Sequence, residues 1–142
     1  MAQGDTTKFE EFALQVGDGT FDMDNDVFSL KLITTIPTAS QATPNLSDFT
    51  EVTAGGGYTV NGVALTTTWT EVGGTSTFDS STNPAWTAAA GSPTNIMAGL
   101  IVNAANNAIA FVDLTTDGLT AISLVDGNIT VTWNASGILT IS

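Results

Sequence analysis

The pattern most typical of metal chemistry is the acidic run Asp22-Met23-Asp24-Asn25-Asp26. Carboxylates two residues apart begin an EF-hand loop, because alternate side chains then converge on a hard cation that binds about six to eight oxygens. The rest of that loop is missing, since Val27 stands where glycine is needed and Ile33 where a bidentate acid is needed. We favour a solvated turn before a strand over a looser calcium site. The candidate ligands of such a site are Asp22, Asp24 and Asp26, with help from Asp18.

The other acids in loops or near strand ends do not suggest a catalytic pair. Two carboxylates at a fixed separation can act as acid and base in glycoside hydrolysis, but the spacing here selects no such pair. The chain has no histidine and no cysteine, which removes the commonest general base and the commonest thiol nucleophile. We expect a protein that is not an enzyme, with no catalytic residue and no cofactor. The acids considered are Asp48, Glu51, Asp113, Asp117 and Asp126.

Four large aromatic residues could form a platform for sugar rings, as in carbohydrate-binding modules. They are Tyr58, Trp69, Trp86 and Trp133. The alternative is a place in the core, where an aromatic side chain buries about 150–250 Å². Trp69 and Trp133 lie within alternating segments, so a core position is favoured for them. The Gly55-Gly56-Gly57 run is not a phosphate loop, because the Lys-Ser/Thr pair that should follow it is missing.

The composition indicates a single domain with a strongly acidic surface. The chain has 142 residues, of which 42% are hydrophobic and 11% charged, and a chain of this length buries about two thirds of its unfolded surface. Fourteen acids and two lysines give a net charge of −12, which argues against nucleic-acid binding because phosphates would be repelled. The start of the chain does not resemble a signal peptide, and no apolar run approaches the ~20 residues that span a bilayer. We expect synthesis in the cytoplasm and no membrane partner.

One segment, Lys8–Val16, has a clear helical pattern. Its apolar residues recur at i, i+3, i+4 and i+7, with two glutamates on the opposite side. The preceding threonines can cap its start, and Gly17 can cap its end. So short a helix is marginal alone, and its apolar stripe must lie on the chain's own sheet or on a neighbouring subunit. We predict that residues 1–17 form an arm whose partner-binding residues are Phe9, Phe12 and Val16.

The rest of the chain, residues 18–142, is predicted to be one β domain. A polar loop at Thr38–Asp48 and turns at the glycine runs separate short segments that are typical of strands. We expect two hairpins, one around Asn106-Asn107 and one formed by the last two segments. Many short strands and a single helix predict a mainly β fold, an antiparallel β-sandwich or jelly roll. The predicted strands are Val27–Thr35, Ala64–Glu71, Thr75–Asp79, Pro84–Ala88, Ile96–Ala104, Ile109–Leu114, Asn128–Trp133 and Ile138–Ile141.

Several segments resemble, in the same order along the chain, a group of small tailed-bacteriophage virion proteins. The N-terminal helix, followed by residues 17–26 and a Phe-Ser-Leu-Lys-Leu strand, is similar to their opening. Residues 46–52 resemble their Asp-Leu-Thr-Glu-Ile signature, and residues 54–58 resemble Ala-Gly-Asn-Gly-Tyr. Residues 86–88 resemble Trp-Thr-Ala-Ser-Gly-Gly, and residues 137–141 resemble their terminal strand. The resemblance covers nearly the whole chain.

This resemblance implies a structural virion component without an active site. We expect a capsid decoration (cement) protein that binds the major capsid protein on the capsid surface, stabilises the shell and forms a homo-oligomer, with a trimer favoured. The strand at Ile96–Val102 departs from the family, which has an aromatic and charged Phe-Arg-Tyr-Ala-Val-Leu-Tyr segment there. The alternatives are a tail or head–tail connector subunit and a carbohydrate-binding or adhesin-like sandwich.

Overall fold

The computed structural model describes residues 2–142, and within them it contains ten strands, one α-helix and one 3₁₀ turn. Every strand pair is antiparallel, so the predicted mainly β, antiparallel fold with a short helix is confirmed, whereas the jelly-roll form is not. Helix α1 spans Phe12–Gly17, and the 3₁₀ turn spans Leu46–Asp48. The strands are β1 (Thr6–Lys8), β2 (Ser29–Ile33), β3 (Val63–Ala64), β4 (Thr67–Val72), β5 (Thr75–Ser80), β6 (Ala85–Trp86), β7 (Ala98–Val102), β8 (Ala108–Asp113), β9 (Ile129–Thr130) and β10 (Leu139–Ile141).

The central layer is a five-stranded sheet in the order β1-β8-β7-β2-β3. Every residue of β7 and β8 is buried. This explains why both strands, apart from Asp113 at the end of β8, are continuous apolar runs in the sequence and not alternating ones. The predicted hairpin around Asn106-Asn107 is confirmed, since β7 and β8 pair with Leu100 opposite Phe111.

One face of the central sheet shares a core with two smaller sheets. These are a three-stranded sheet in the order β10-β5-β4 and a two-stranded sheet of β6 and β9. Leu30 and Leu32 of β2 lie in the same apolar cluster as Phe78 of β5 and Trp86 of β6. The rings of Phe28 and Phe78 meet edge to face with centroids 5.0 Å apart. This contact joins the segment that leads into β2 to the three-stranded sheet, as expected of a sandwich.

The opposite face of the central sheet is covered by the chain itself, which forms a second apolar cluster there. The long loop between β2 and β3 places Leu46 and Phe49 over this face. Phe9 is fully buried between them and the sheet, with its ring centroid 6.5 Å from that of Phe49 and 5.4 Å from that of Phe111. The predicted polar loop Thr38–Asp48 therefore contributes Leu46 to the second core, and Phe49 follows directly after it.

The N-terminal segment differs from its prediction. Residues Thr6–Lys8 are strand β1, which pairs with β8, and the helix begins only at Phe12. The helix has Glu11 at its N-cap with no side-chain capping bond, and Asp18, not Gly17, at its C-cap. The β-branched residues before the helix favour an extended backbone, and β1 occupies an edge of the central sheet. Residues 2–17 are therefore part of the same folded unit as the sandwich and do not form a separate arm.

The predicted hairpin between the last two strands is wrong. β9 pairs with β6, with Ile129 opposite Trp86, whereas β10 pairs with β5, with Leu139 opposite Phe78. The chain crosses from one small sheet to the other between them. Gly137 has a φ of +95° at the end of this crossing, a conformation that glycine adopts without strain.

The glycine run at residues 55–57 lets two backbone segments touch. Gly55 and Tyr58 exchange two backbone hydrogen bonds of 3.0 Å, and the N–H of Gly57 donates to the Ser92 hydroxyl at 2.8 Å. A Cβ added at Gly57 would collide with the carbonyl oxygen of Thr87. The run is therefore a close contact between two loops, for which a residue without a side chain is required.

Candidate functional site

The acidic run before β2 caps its own turn. Asp22 Oδ1 accepts hydrogen bonds from the N–H groups of Asp24 and Asn25, both at 3.2 Å, and Oδ2 accepts one from the Asn25 side chain at 2.9 Å. The Asn25 side-chain bond is the main reason why the pKa of Asp22 lies below its ordinary value. Asp26 Oδ2 accepts from the side chain of Asn103 at 3.0 Å. The carboxylate of Asp22 is thus engaged within the turn itself, as expected of the solvated turn. The carboxylate of Asp26 accepts from the N–H of Asp22 and also from the distant Asn103.

A loop after β8, residues 113–120, is held in shape by its own side chains, and we call it the Leu119 loop. The buried Asp113 accepts two hydrogen bonds on Oδ1, from the N–H of Thr115 at 2.9 Å and from its hydroxyl at 2.7 Å. The same hydroxyl accepts a bond from the N–H of Gly118 at 2.8 Å. These bonds fix the first half of the loop to the end of the central sheet.

The second half of the Leu119 loop is organised by Asp117. Its Oδ1 accepts from the N–H groups of Leu119 at 2.9 Å and of Thr120 at 2.6 Å, and its Oδ2 accepts from the Thr120 hydroxyl at 2.6 Å. The hydroxyl bond, followed by the backbone bonds, lowers the pKa of Asp117 to about 2. Leu119 stands at the tip with 82% of its surface exposed. The result is a preorganised loop that presents one large apolar side chain to solvent.

From the sequence, Asp113 and Asp117 were candidates only as catalytic acids, and this loop was not predicted. A signal was present, because Asp and Thr spaced two or three residues apart around an Asp-Gly pair are typical of turns capped by side chains. The exposure of Leu119 had no such signal. Of the other acids considered, Asp48 completes a capping box with Asn45 at the 3₁₀ turn.

Tyr58 and Glu51 close the end of strand β2. The Tyr58 hydroxyl donates to Glu51 Oε1 at 2.7 Å and accepts from the N–H of Leu32 at 3.2 Å. Glu51 Oε1 also accepts from the N–H of Asn61 at 2.9 Å. Burial, followed by the hydrogen bond to Glu51, raises the pKa of Tyr58 above its ordinary value. Glu51 therefore has a structural partner and is not a free acid.

We expect Tyr58 to remain protonated in the folded protein at pH values where an exposed tyrosine ionises. It is the single tyrosine of the chain, so phenolate absorbance reports on it alone. Because its pKa is raised from 10.0 on folding, its contribution to stability is complete below about pH 10 and is lost as the pH rises above that value. Measuring the phenolate absorbance and the free energy of unfolding as functions of pH checks this prediction. Appearance of phenolate near pH 10 in folded protein would contradict it, and Tyr58→Phe is the spectroscopic blank.

The four aromatic residues proposed as a sugar platform do not share one surface. Tyr58 and Trp86 are buried, with their ring centroids 6.3 Å apart. Trp69 and Trp133 are half-buried and pack against the same core. The indole N–H of Trp133 donates to the carbonyl oxygen of Thr82 at 2.7 Å. The favoured interpretation of Trp69 and Trp133 as core-packing residues is confirmed, and the buried pair leaves no exposed aromatic row.

The three residues predicted to bind a partner lie within the protein's own core. Phe9 and Phe12 have no exposed surface, and Val16 is half-buried against the main apolar cluster. Of the two supports considered for this stripe, the chain's own sheet provides it, so the stripe does not require a neighbouring subunit. The helix instead exposes Leu14, 66% of whose surface is accessible.

A depression of about 340 Å³ lies beside the N-terminal strand. Its wall consists of Gln3 and Gly4, the apolar residues Leu114 and Ile122, and residues 128–132. None of these residues titrates, so this depression has no acid or base with which to act on a ligand. In the part of the chain that the structure describes, no group of three acidic residues lies close enough to hold a metal ion.

No helix within residues 2–142 has the length and apolar character needed to cross a bilayer. The protein presents the preorganised Leu119 loop with its exposed leucine, an acidic surface and carboxylates that cap turns. Comparison of the chain with family models, with curated proteins and with solved structures finds no match.

Proposed function

We propose that this chain is a bacteriophage virion protein that decorates the capsid, binds the major capsid protein and stabilises the shell. The observation that carries the proposal is the ordered resemblance of segments along nearly the whole chain, from the N-terminal residues to the strand β10. A protein of this kind acts by contacts alone. The use of Asp22, Asp117 and Glu51 as hydrogen-bond acceptors for their own loops is compatible with such a role.

The charge of the chain supports a basic site on the partner. The chain contains fourteen acidic residues and two lysines. Lys8 donates to the carbonyl oxygen of Thr140 at 3.0 Å, and Lys31 is buried. The field around the protein is therefore negative, and it favours approach to a positively charged surface and disfavours nucleic acid.

The Leu119 loop is our candidate contact with the capsid. Its hydrogen bonds fix its backbone before binding, so little conformational entropy is lost when Leu119 enters an apolar pocket. One such side chain contributes modestly to the binding affinity. Many copies on a symmetric shell, or several chains in a homo-oligomer such as a trimer, multiply the effect through avidity.

The test is co-sedimentation with shells assembled from the major capsid protein encoded closest to this chain's gene. We expect the protein to travel with the shells at a saturating, fixed ratio and to raise their melting temperature. Leu119→Asp should weaken binding at least tenfold. Val72→Asp is the matched control, because Val72 is equally exposed, at 80%, and lies at the β4–β5 turn.

Two results would contradict the proposal. Binding to purified tail tubes or connectors and not to shells would favour the tail or connector role. Binding to glycans with no affinity for shells would favour the adhesin-like role. Equal loss of shell binding in the Leu119 and Val72 variants would remove the Leu119 loop from the interface while leaving the decoration role intact.

A further inference from the structure

Lys31 is a buried cation whose partners are neutral. It lies in the middle of β2 with 5% of its surface exposed. Its ammonium donates to the side-chain oxygens of Asn106 at 2.9 Å and of Asn61 at 3.4 Å. No carboxylate among residues 2–142 is within ion-pair distance, although the chain has fourteen acids. A buried charge without a counter-charge is costly, so a covalent reaction that removes the ammonium would relieve this cost.

Asn106 is held over Lys31 by its backbone. Its N–H donates to the carbonyl oxygen of Asn103 at 2.9 Å, and its own carbonyl oxygen accepts from the N–H of Leu46 at 2.8 Å. Its φ of +64° belongs to the tight turn between β7 and β8. The backbone of Asn106 is therefore fixed, and its carboxamide oxygen lies 2.9 Å from the amine. Holding two groups together in this way makes a reaction between them effectively unimolecular.

We propose that Lys31 and Asn106 become joined by an intramolecular isopeptide bond after folding. Lys31 Nζ forms a bond to Asn106 Cγ, and the bond between Cγ and Nδ2 breaks. Nδ2 leaves as ammonia and takes up the proton that Nζ releases, so the positive charge departs as ammonium. The reaction needs no oxidant, reductant or other reactant. It replaces a buried ammonium with a neutral amide and ties the centre of the sheet to a turn 75 residues away.

Trypsin digestion reads out this bond directly in the full-length protein. The chain has two lysines and no arginine, so after denaturation an unlinked chain is cut after Lys8 and Lys31 into residues 1–8, 9–31 and 32–142. An acylated Lys31 is not a trypsin site, so the linked chain gives residues 1–8 and 9–142. We expect this second pattern, together with an intact mass one ammonia below the mass calculated from the sequence.

Variants identify the two partners. Lys31→Arg keeps the cation and remains a trypsin site, and we expect its intact mass to equal its own sequence mass. Asn106→Ala should behave in the same way. Asn61→Ala is the matched control, because Asn61 contacts the same ammonium at longer range, and it should retain the bond. The wild-type digest shows whether the isopeptide bond forms, even where a variant fails to fold.

Three outcomes would overturn the proposal. One is a wild-type mass equal to the sequence mass with three tryptic fragments. Another is an ammonia deficit that persists in Lys31→Arg, which would assign the loss to a succinimide at Asn61-Gly62. The last is a bond that persists in Asn106→Ala, with its mass deficit and its uncut 9–142 fragment, and is lost in Asn61→Ala. None of these depends on capsid binding, so this inference and the proposed function fail separately.

Discussion

Gly57→Ala is expected to lower the free energy of unfolding by about 3 kcal/mol, because the added methyl group meets backbone that cannot move aside. The Cβ would overlap the carbonyl oxygen of Thr87 and lie 3.1 Å from its carbonyl carbon. The N–H of Gly57 itself donates a hydrogen bond to the Ser92 hydroxyl, so a shift that relieves the clash also breaks this hydrogen bond. Chemical denaturation followed by tryptophan fluorescence measures the loss.

Gly127→Ala is the matched control for this prediction. Gly127 is exposed, and a Cβ added there has no atom within 4 Å. We expect no loss of stability, or a gain of about 0.5 kcal/mol from the reduced freedom of the unfolded chain. Equal destabilisation by the two substitutions would show that the glycine run is not a close contact between loops.

Phe12→Ala is expected to lower the free energy of unfolding by about 3–5 kcal/mol, because it empties a site in the main core. Phe12 is fully buried, and its ring centroid lies 6.2 Å from that of Phe21. The measurement is again equilibrium denaturation. The result distinguishes a core residue from a docking residue, since truncating an exposed docking side chain leaves the stability of the isolated protein nearly unchanged.

Leu14→Ala on the same helix supplies the comparison. Leu14 is 66% exposed, so its truncation should change the stability by about 0.5 kcal/mol or less. Similar losses from both substitutions would mean that the helix packs differently from the structure described above. A stable Phe12→Ala protein that fails to bind shells would restore the docking interpretation of the N-terminal stripe.

Strongly apolar segments were the part of the fold that the sequence could predict. The segment Ile96–Ala104 contains β7, and Ile109–Leu114 covers β8 except for its first residue, Ala108. A continuous apolar run next to an Asn-Asn pair is typical of such a hairpin. Strand β1 was missed because three residues carry little periodicity and its partner β8 lies far along the chain. The helical pattern predicted over Lys8–Val16 matches helix α1 from Phe12 onward, whereas the first residues of the pattern pair with the edge of the central sheet.

Lys31 lies on the face of β2 opposite Leu30 and Leu32, and its burial could not be predicted from the sequence. The burial arises because Phe49 and other apolar residues of the β2–β3 loop cover it, and a polar, proline-containing loop gives little sign of this in sequence. The two acceptors of Lys31, Asn61 and Asn106, come from separate turns. Their convergence depends on the tertiary structure alone.

The place of β1 in the central sheet has a consequence for the order of assembly during synthesis. Thr6 pairs with Val112, which is made much later in synthesis than Thr6. Until β8 has left the ribosome, the N-terminal strand has no partner and Phe9 has no core to enter. Long-range pairing of this kind slows folding and leaves apolar surface open to other chains meanwhile. Strand β1 therefore cannot join the central sheet until β8 has been made.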